Sequence, residues 1–176
     1  MVPEQAVVDR LMRWFSADEV DWDAAYADQL PRIYNYFRFR LGSEADVEDL
    51  TSRTFEKAWS ARERYRRDLA GFSTWLFRIA RNVGHDYLRA RRAHVPLDEA
   101  IEVSVDATPE TELERGSDLE RLASLTRDLP EREQELIALK YGAAMSNRAI
   151  AQLTGLSESN VGTILHRTVQ MLRSQW

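Results

Sequence analysis

The sequence predicts an all-α protein: two small helical domains joined by an acidic flexible linker, the C-terminal domain a helix-turn-helix. Three observations carry this reading. Apolar residues recur every three to four positions through both ends of the chain, the period of a helix face. Between residues 93 and 120 that period lapses into an acidic stretch holding Pro96, Pro109 and Gly116, the composition of a linker. Strand signals reduce to Ile101–Val105, whose alternation is short, flanked by acids and isolated. A chain of 176 residues can bury one good core or two small ones, and the pattern favours two, over residues 1–92 and 121–176.

Taken in order, the acidic start carries Val7, Leu11, Trp14 and Phe15 on one helical face. Leu30, Ile33, Tyr34, Phe37 and Leu41 follow the spacing of the next helix, which Gly42-Ser43 closes while capping its successor. That successor spans about residues 44–61, with Glu44, Asp46, Glu48 and Asp49 in its first turns, where the helix dipole favours acids. A third helix begins after Gly71, with Ser73 or Thr74 as its cap, and runs to about Arg92. Beyond the linker, Pro130 opens a supporting helix bearing Leu136, Ile137, Leu139 and Tyr141.

Composition excludes several classes. No window approaches the roughly 18 consecutive apolar residues of a membrane span, and no signal-peptide pattern opens the chain, so a cytoplasmic protein without membrane insertion is expected. The absence of cysteine removes disulfides and thiolate metal sites, and His85, His94 and His166 are too scattered to form a ligand cluster. Nucleophile, acid–base and phosphate-loop constellations are missing, so neither catalysis, a cofactor nor a small-molecule substrate is expected. The net charge of -5 conceals a strong segregation: residues 61–92 hold nine arginines against three acids, whereas residues 93–129 hold ten acids against three arginines.

The third helix concentrates this positive charge. At 100° per residue, Trp75, Leu76, Ile79, Ala80, Val83 and Tyr87 share one side, while Arg78, Arg81, His85, Arg89 and Arg92 fall in an opposite arc of roughly 80°. A lone basic stripe is commonly a solvated face. Here it is nearly pure arginine, relieved only by Asp86 at its edge, and it continues the run Arg62, Arg64, Arg66 and Arg67, which points to an anionic partner whose phosphates suit the guanidinium fork. The stretch Arg66–Phe72 between the runs reads as a loop with aromatic neighbours Tyr65, Phe72 and Trp75. Aromatic faces stack on unpaired bases, although Trp75 belongs to the packing side of its helix.

From Ser146 onward two helical halves flank Thr154-Gly155-Leu156-Ser157. A small Ala151 at the crossing, Gly155 for a turn of positive φ, and Leu156, Val161 and Leu165 between the helices match a helix-turn-helix. Ser157 caps the second helix, and Ser157, Glu158, Ser159, Asn160, Thr163, His166 and Arg167, with Arg148 from the first, are the candidates for DNA contact.

Together these pieces resemble the extracytoplasmic-function (ECF) sigma factors of the sigma-70 family over about residues 26–176. RLGSEADVEDLTSRTFEKAW (Arg40–Trp59) is similar to that family's polymerase-binding segment, FSTWLFRIARNVGHDYLRARR (Phe72–Arg92) to its promoter-melting, minus-ten-reading segment, and LPEREQELIALKYGAAMSNRAIAQLTGLSESNV (Leu129–Val161) to its minus-thirty-five-binding domain. The resemblance implies a dissociable subunit that brings core RNA polymerase to promoter DNA and is held in check by an anti-sigma factor. It implies that Asp46, Glu48, Asp49, Leu50 and Arg53 face the polymerase, and that Arg66, Arg67 and Phe72 with Asn82, Asp86 and Arg89 hold the opened strand. By the same resemblance the linker mimics nucleic acid. Gly162-Thr163-Ile164 stand where the family usually has basic residues, which leaves Arg148, Arg167 and Arg173 as the cations of the motif. A sigma-like adaptor that sequesters an anti-sigma factor without binding DNA is the alternative, disfavoured by the intact arginine stripe; a self-sufficient repressor would need a sensory first domain instead.

Overall fold

The computed structural model describes residues 20–94, 121–122 and 124–176. The expectations for the acidic start, the linker and Ile101–Val105 lie outside these residues. In the N-terminal unit, α1 (Trp22–Arg38), α2 (Glu44–Ser60) and α3 (Phe72–His94) pack together, with a short 3-10 turn at Arg62–Arg64. The C-terminal unit holds α4 (Glu131–Ile137), a π-turn (Ala138–Gly142), α5 (Asn147–Thr154) and α6 (Glu158–Gln175). Residues 121–122 and 124–127 are helical too, and none of the described residues is in a strand.

Local chemistry sets most boundaries. The Asp21 carboxylate accepts from the Ala24 N–H at 3.1 Å and starts α1, and Ser43 accepts from the Asp46 N–H at 3.4 Å to start α2. α1 ends at Arg38, so Leu41 is buried in the following turn rather than on the helix, and Tyr36, absent from the expected face, has no exposed surface. α3 begins one turn edge earlier than its hydroxyl residues suggest. Phe72 is its first residue, Ser73 and Thr74 lie inside it, and the Ser73 hydroxyl donates to Gln29 Oε1 at 3.1 Å. The C-terminal boundary also shifts, from Arg92 to His94.

Ile33, Phe37, Leu50, Phe77, Ala80 and Val83 are fully buried or nearly so between α1, α2 and α3, worth about 2–3 kcal/mol of transfer free energy for each phenylalanine. The two helical units are present as expected, but they do not carry separate cores. Their buried side chains form one continuous cluster from Ile33 through Leu139 to Leu172. α1 is the shared element: one side faces α2 and α3, and the other meets the π-turn. There a Cβ on Gly142 would stand 2.9 Å from the Asn35 carbonyl oxygen, so the approach requires glycine. Arg32 Nε donates to the Ala143 carbonyl at 2.8 Å across the same seam.

Candidate nucleic-acid interface

The arginine stripe of α3 is divided by its surroundings. Arg78, Asn82, Asp86 and Arg89 are exposed, with Arg89 Nη2 donating to Asp86 Oδ1 at 2.7 Å. Arg81, His85 and Arg92 turn instead toward the C-terminal unit. Arg81 forms a fork with Glu135, Nε to Oε1 at 2.9 Å and Nη2 to Oε2 at 3.2 Å, and its Nη1 donates to the Leu153 carbonyl at 3.2 Å. His85 Nε2 lies 2.9 Å from Glu135 Oε1, and Arg92 donates to Glu131 at 2.9 Å.

Arg40 completes this cluster from the end of α1. Its side chain is 1% exposed, donates to the Tyr36 hydroxyl at 2.8 Å, and stands 3.7 Å from Glu135 and 3.8 Å from Glu131. Its Nε and Nη2 are buried without a hydrogen-bond partner, an incomplete solvation that makes the contact costly. Burial acts to raise the Glu135 carboxyl, but the Arg81 hydrogen bond and the charges of Arg40, Arg81 and His85 outweigh it and hold the group below the ordinary glutamate value. For Arg40 burial acts downward, and Tyr36 and the two glutamates overcome it to leave the guanidinium raised.

The loop ahead of α3 is shaped by aromatic packing. Trp22 meets Phe72 edge-on at 5.4 Å and Trp59 at 5.3 Å, while Tyr65 lies 5.6 Å from Phe72 and 5.1 Å from Trp75. Arg66 is bound by a fork to Asp68 at 2.9 and 2.8 Å, and Arg67 is exposed. Tyr65, Arg67, Phe72, Ser73 and Gln29 line a cavity of about 520 Å³ beside this loop. Trp75 is partly buried within the aromatic group, as its place on the packing side requires.

On α2, Glu48, Asp49 and Arg53 occupy the surface, with Arg53 and Asp49 paired at 3.4 Å. Asp46 is engaged by the Tyr87 hydroxyl at 2.6 Å, which ties α2 to α3. Leu50 has no exposed surface; it anchors α2 in the core and cannot itself touch a partner. That departure from the sequence expectation follows from its period with Val47 and Thr54.

The helix-turn-helix takes the expected form. Gly155 adopts φ 76° between α5 and α6, and the Ser157 hydroxyl accepts from the Asn160 N–H at 3.2 Å. Arg148, Glu158, Ser159, Asn160, Thr163, His166 and Arg167 are exposed, with the Thr163 hydroxyl donating to the Ser159 carbonyl at 3.0 Å. Ile164 is partly buried against the core. A Cβ on Gly162 would meet only Asn147 Nδ2, at an ordinary 3.5 Å, so nothing in the packing demands glycine there.

Sequence reasoning missed Glu135, Arg40, Arg32 and Gly142. A signal existed for two of them. Glu135 falls on the face of Ala138 and Leu139, and Arg40 falls on that of Tyr36 and Phe37; a charge set into an apolar period must find a buried partner.

Residues 25–94 match the family described as Sigma-70 region 2, and residues 119–172 match Sigma-70, region 4. The ECF RNA polymerase sigma factor ShbA of Streptomyces griseus subsp. griseus is 30% identical over 155 residues, 82% of this chain and 81% of that protein. The chain belongs to the ECF sigma factors. A second relative, the ECF RNA polymerase sigma factor BldN of Streptomyces coelicolor, is 28% identical over 173 residues, covering 96% of this chain and 66% of BldN. The fold is shared with the sigma factor RpoE of Bartonella quintana, solved in complex with the anti-sigma factor NepR, at a TM-score of 0.74 and 20% identity over 88% of this chain and 95% of that one. Transcription initiation is thus the work of this ECF sigma factor. Among the described residues no helix is long and apolar enough to cross a membrane.

Proposed function

We propose that this sigma factor directs core RNA polymerase to specific promoters and assists their opening through a division of labour between its units. Residues 1–92 bind polymerase and the minus-ten strand, residues 93–120 link, and residues 121–176 dock on minus-thirty-five duplex. The observation that carries this is the exposed row Arg78, Asn82 and Arg89 on α3, the helix whose first residue, Phe72, lines an aromatic cavity with Tyr65 and Arg67. Cations there hold phosphates of a separated strand, and the cavity receives an extruded base. Unstacking costs a few kcal/mol per step, which strand capture offsets. Arg66, Arg67 and Asp86 complete this site, and Arg81, His85 and Arg92 join it when they are not engaged with Glu135 and Glu131.

On the surface of α2, Glu48, Asp49 and Arg53 form the polymerase contact, with Asp46 and Leu50 holding α2 in position. In the C-terminal unit the exposed N-terminal end of α6 enters the major groove, so Ser159, Asn160 and Thr163 read base edges while Arg148 and Arg167 hold phosphates. The chain acts without chemical catalysis, in the cytoplasm where its polymerase is, and an anti-sigma factor is its regulatory partner. Reconstitution with core polymerase on a promoter library, scored by run-off transcripts, tests the reading. Specific start sites dependent on this chain are expected. Failure to bind core polymerase or to select any start site contradicts it.

A further inference from the structure

We propose that the cavity ahead of α3 selects an extruded base by its exocyclic amino group, with the carboxylates of Asp28 and Asp21 as the acceptors. This inference rests on the assignment of that cavity to the minus-ten strand, and it adds which bases the cavity takes. Its observation is the uneven chemistry of the lining. Tyr65 and Phe72 supply aromatic rings 5.6 Å apart, while Asp21, Asp28, Gln29 and Ser73 supply polar groups.

The hydrogen bonds already made in this lining determine what a ligand is offered. Gln29 is 4% exposed. Its Oε1 accepts from the Ser73 hydroxyl at 3.1 Å and from Arg32 Nη1 at 3.3 Å, and its Nε2 donates to Asp28 Oδ2 at 2.5 Å. A guanidinium only donates and an ionised carboxylate only accepts, so these neighbours fix which way the amide faces. The Ser73 hydroxyl spends its hydrogen on Gln29 and is left an acceptor. Asp21 Oδ1 takes the Ala24 N–H, and among the described residues the remaining lone pairs of both carboxylates are open to a ligand.

Acceptors therefore dominate the polar lining, and its carboxylates disfavour phosphate, which falls to Arg67 at the loop and to the exposed arginines of α3. What the cavity can satisfy is a hydrogen-bond donor carried on a flat ring. Cytosine, adenine and guanine carry one as an amino group, whereas thymine sets a carbonyl oxygen in its place. A carbonyl facing Asp28 would leave two acceptors opposed and both desolvated, the arrangement by which a polar site rejects an analogue that lacks the donor.

The test compares bases that differ at this group. Holoenzyme is assembled from core polymerase and the full chain, and core polymerase alone supplies the background. Affinity is measured for thymidine strands of about a dozen nucleotides. Each carries one central substitution, drawn from the pairs cytosine and uracil, adenine and unsubstituted purine, guanine and hypoxanthine. In at least one pair the amino-bearing base is expected to bind about tenfold more tightly than its partner, and the pair that shows it identifies the base. Asp28 is exposed, so Asp28→Asn leaves the packing intact. Its amide oxygen can still accept from Gln29 and its NH2 faces the ligand, so the ratio should fall close to one. Loss of a negative charge tightens every strand alike, which makes the ratio the readout. Equal binding within all three pairs, a preference for the bases lacking the amino group, or a ratio unchanged in Asp28→Asn overturns the proposal and leaves the strand site standing. Binding of every strand no tighter than by core polymerase alone rejects the strand site, and the base preference with it.

Discussion

The two surfaces proposed to face DNA differ in how the chain treats them. On α6, Glu158, Ser159, Asn160, Thr163, His166 and Arg167 are exposed, and the hydrogen bonds of Asn160 and Thr163 stay within the helix and its cap. On α3 two of the five arginines, Arg81 and Arg92, are held by glutamates of the other unit. The contrast follows charge density. A surface with nine arginines over residues 61–92 repels itself and recruits acids wherever they are within reach, whereas the sparsely charged α6 has no such need. The proposed duplex reader is therefore presented ready, and the proposed strand reader is presented partly occupied.

Because the two surfaces share one core, the largest effect should come from a substitution that loses both together. Phe77→Ala removes a fully buried ring and is expected to cost about 3–5 kcal/mol, seen as a single cooperative urea transition moved to lower denaturant. Two separate transitions would break the single-core description. Next in size is Gly162→Lys, which adds a cation to the duplex reader where a side chain fits. Affinity for a minus-thirty-five duplex should rise several-fold at low salt, and the salt dependence should steepen by about one phosphate contact, with strand binding unchanged. Titrations at several salt concentrations check both halves of that statement.

Ser157→Ala should cost about 1 kcal/mol by releasing the cap of α6, lowering duplex affinity while strand binding stays at the parent value. The smallest effect near neutrality is that of acid. Glu135 has its folded-state value depressed, so its contribution to stability is fully present above the unfolded glutamate value of about 4.3 and is lost as pH falls through the lower folded value. Arg40, whose guanidinium is raised, keeps its charge over that range. Stability to urea should therefore fall as pH drops below the ordinary glutamate range, and this step should be smaller in Glu135→Gln.

What the sequence made legible was governed by short range. Ser43, Gly155 and Ser157 act on backbone groups within three or four residues, and each occupies its expected cap or turn. The basic and apolar sides of α3 likewise follow from its own period. Long-range partners were not legible. Arg81 and Glu135 are separated by 54 positions, and nothing local tells an arginine awaiting phosphate from one already paired. The start of α3 was misplaced for a related reason: Ser73 looks like a cap, but its hydroxyl is drawn to Gln29, 44 residues away. Leu50 was assigned to a surface by likeness to a motif, although its own periodicity places it in the core.

The division between a strand-gripping helix and a duplex-docking tail is tested most directly by permanganate reactivity of thymines in the minus-ten region, using holoenzyme carrying Arg78→Glu with Arg89→Glu. Both residues are exposed, so their reversal leaves the Arg81–Glu135 pair and the core in place. The account expects normal assembly with core polymerase, retained docking on the promoter and loss of thymine reactivity. Thymines as reactive as with the parent chain would contradict it.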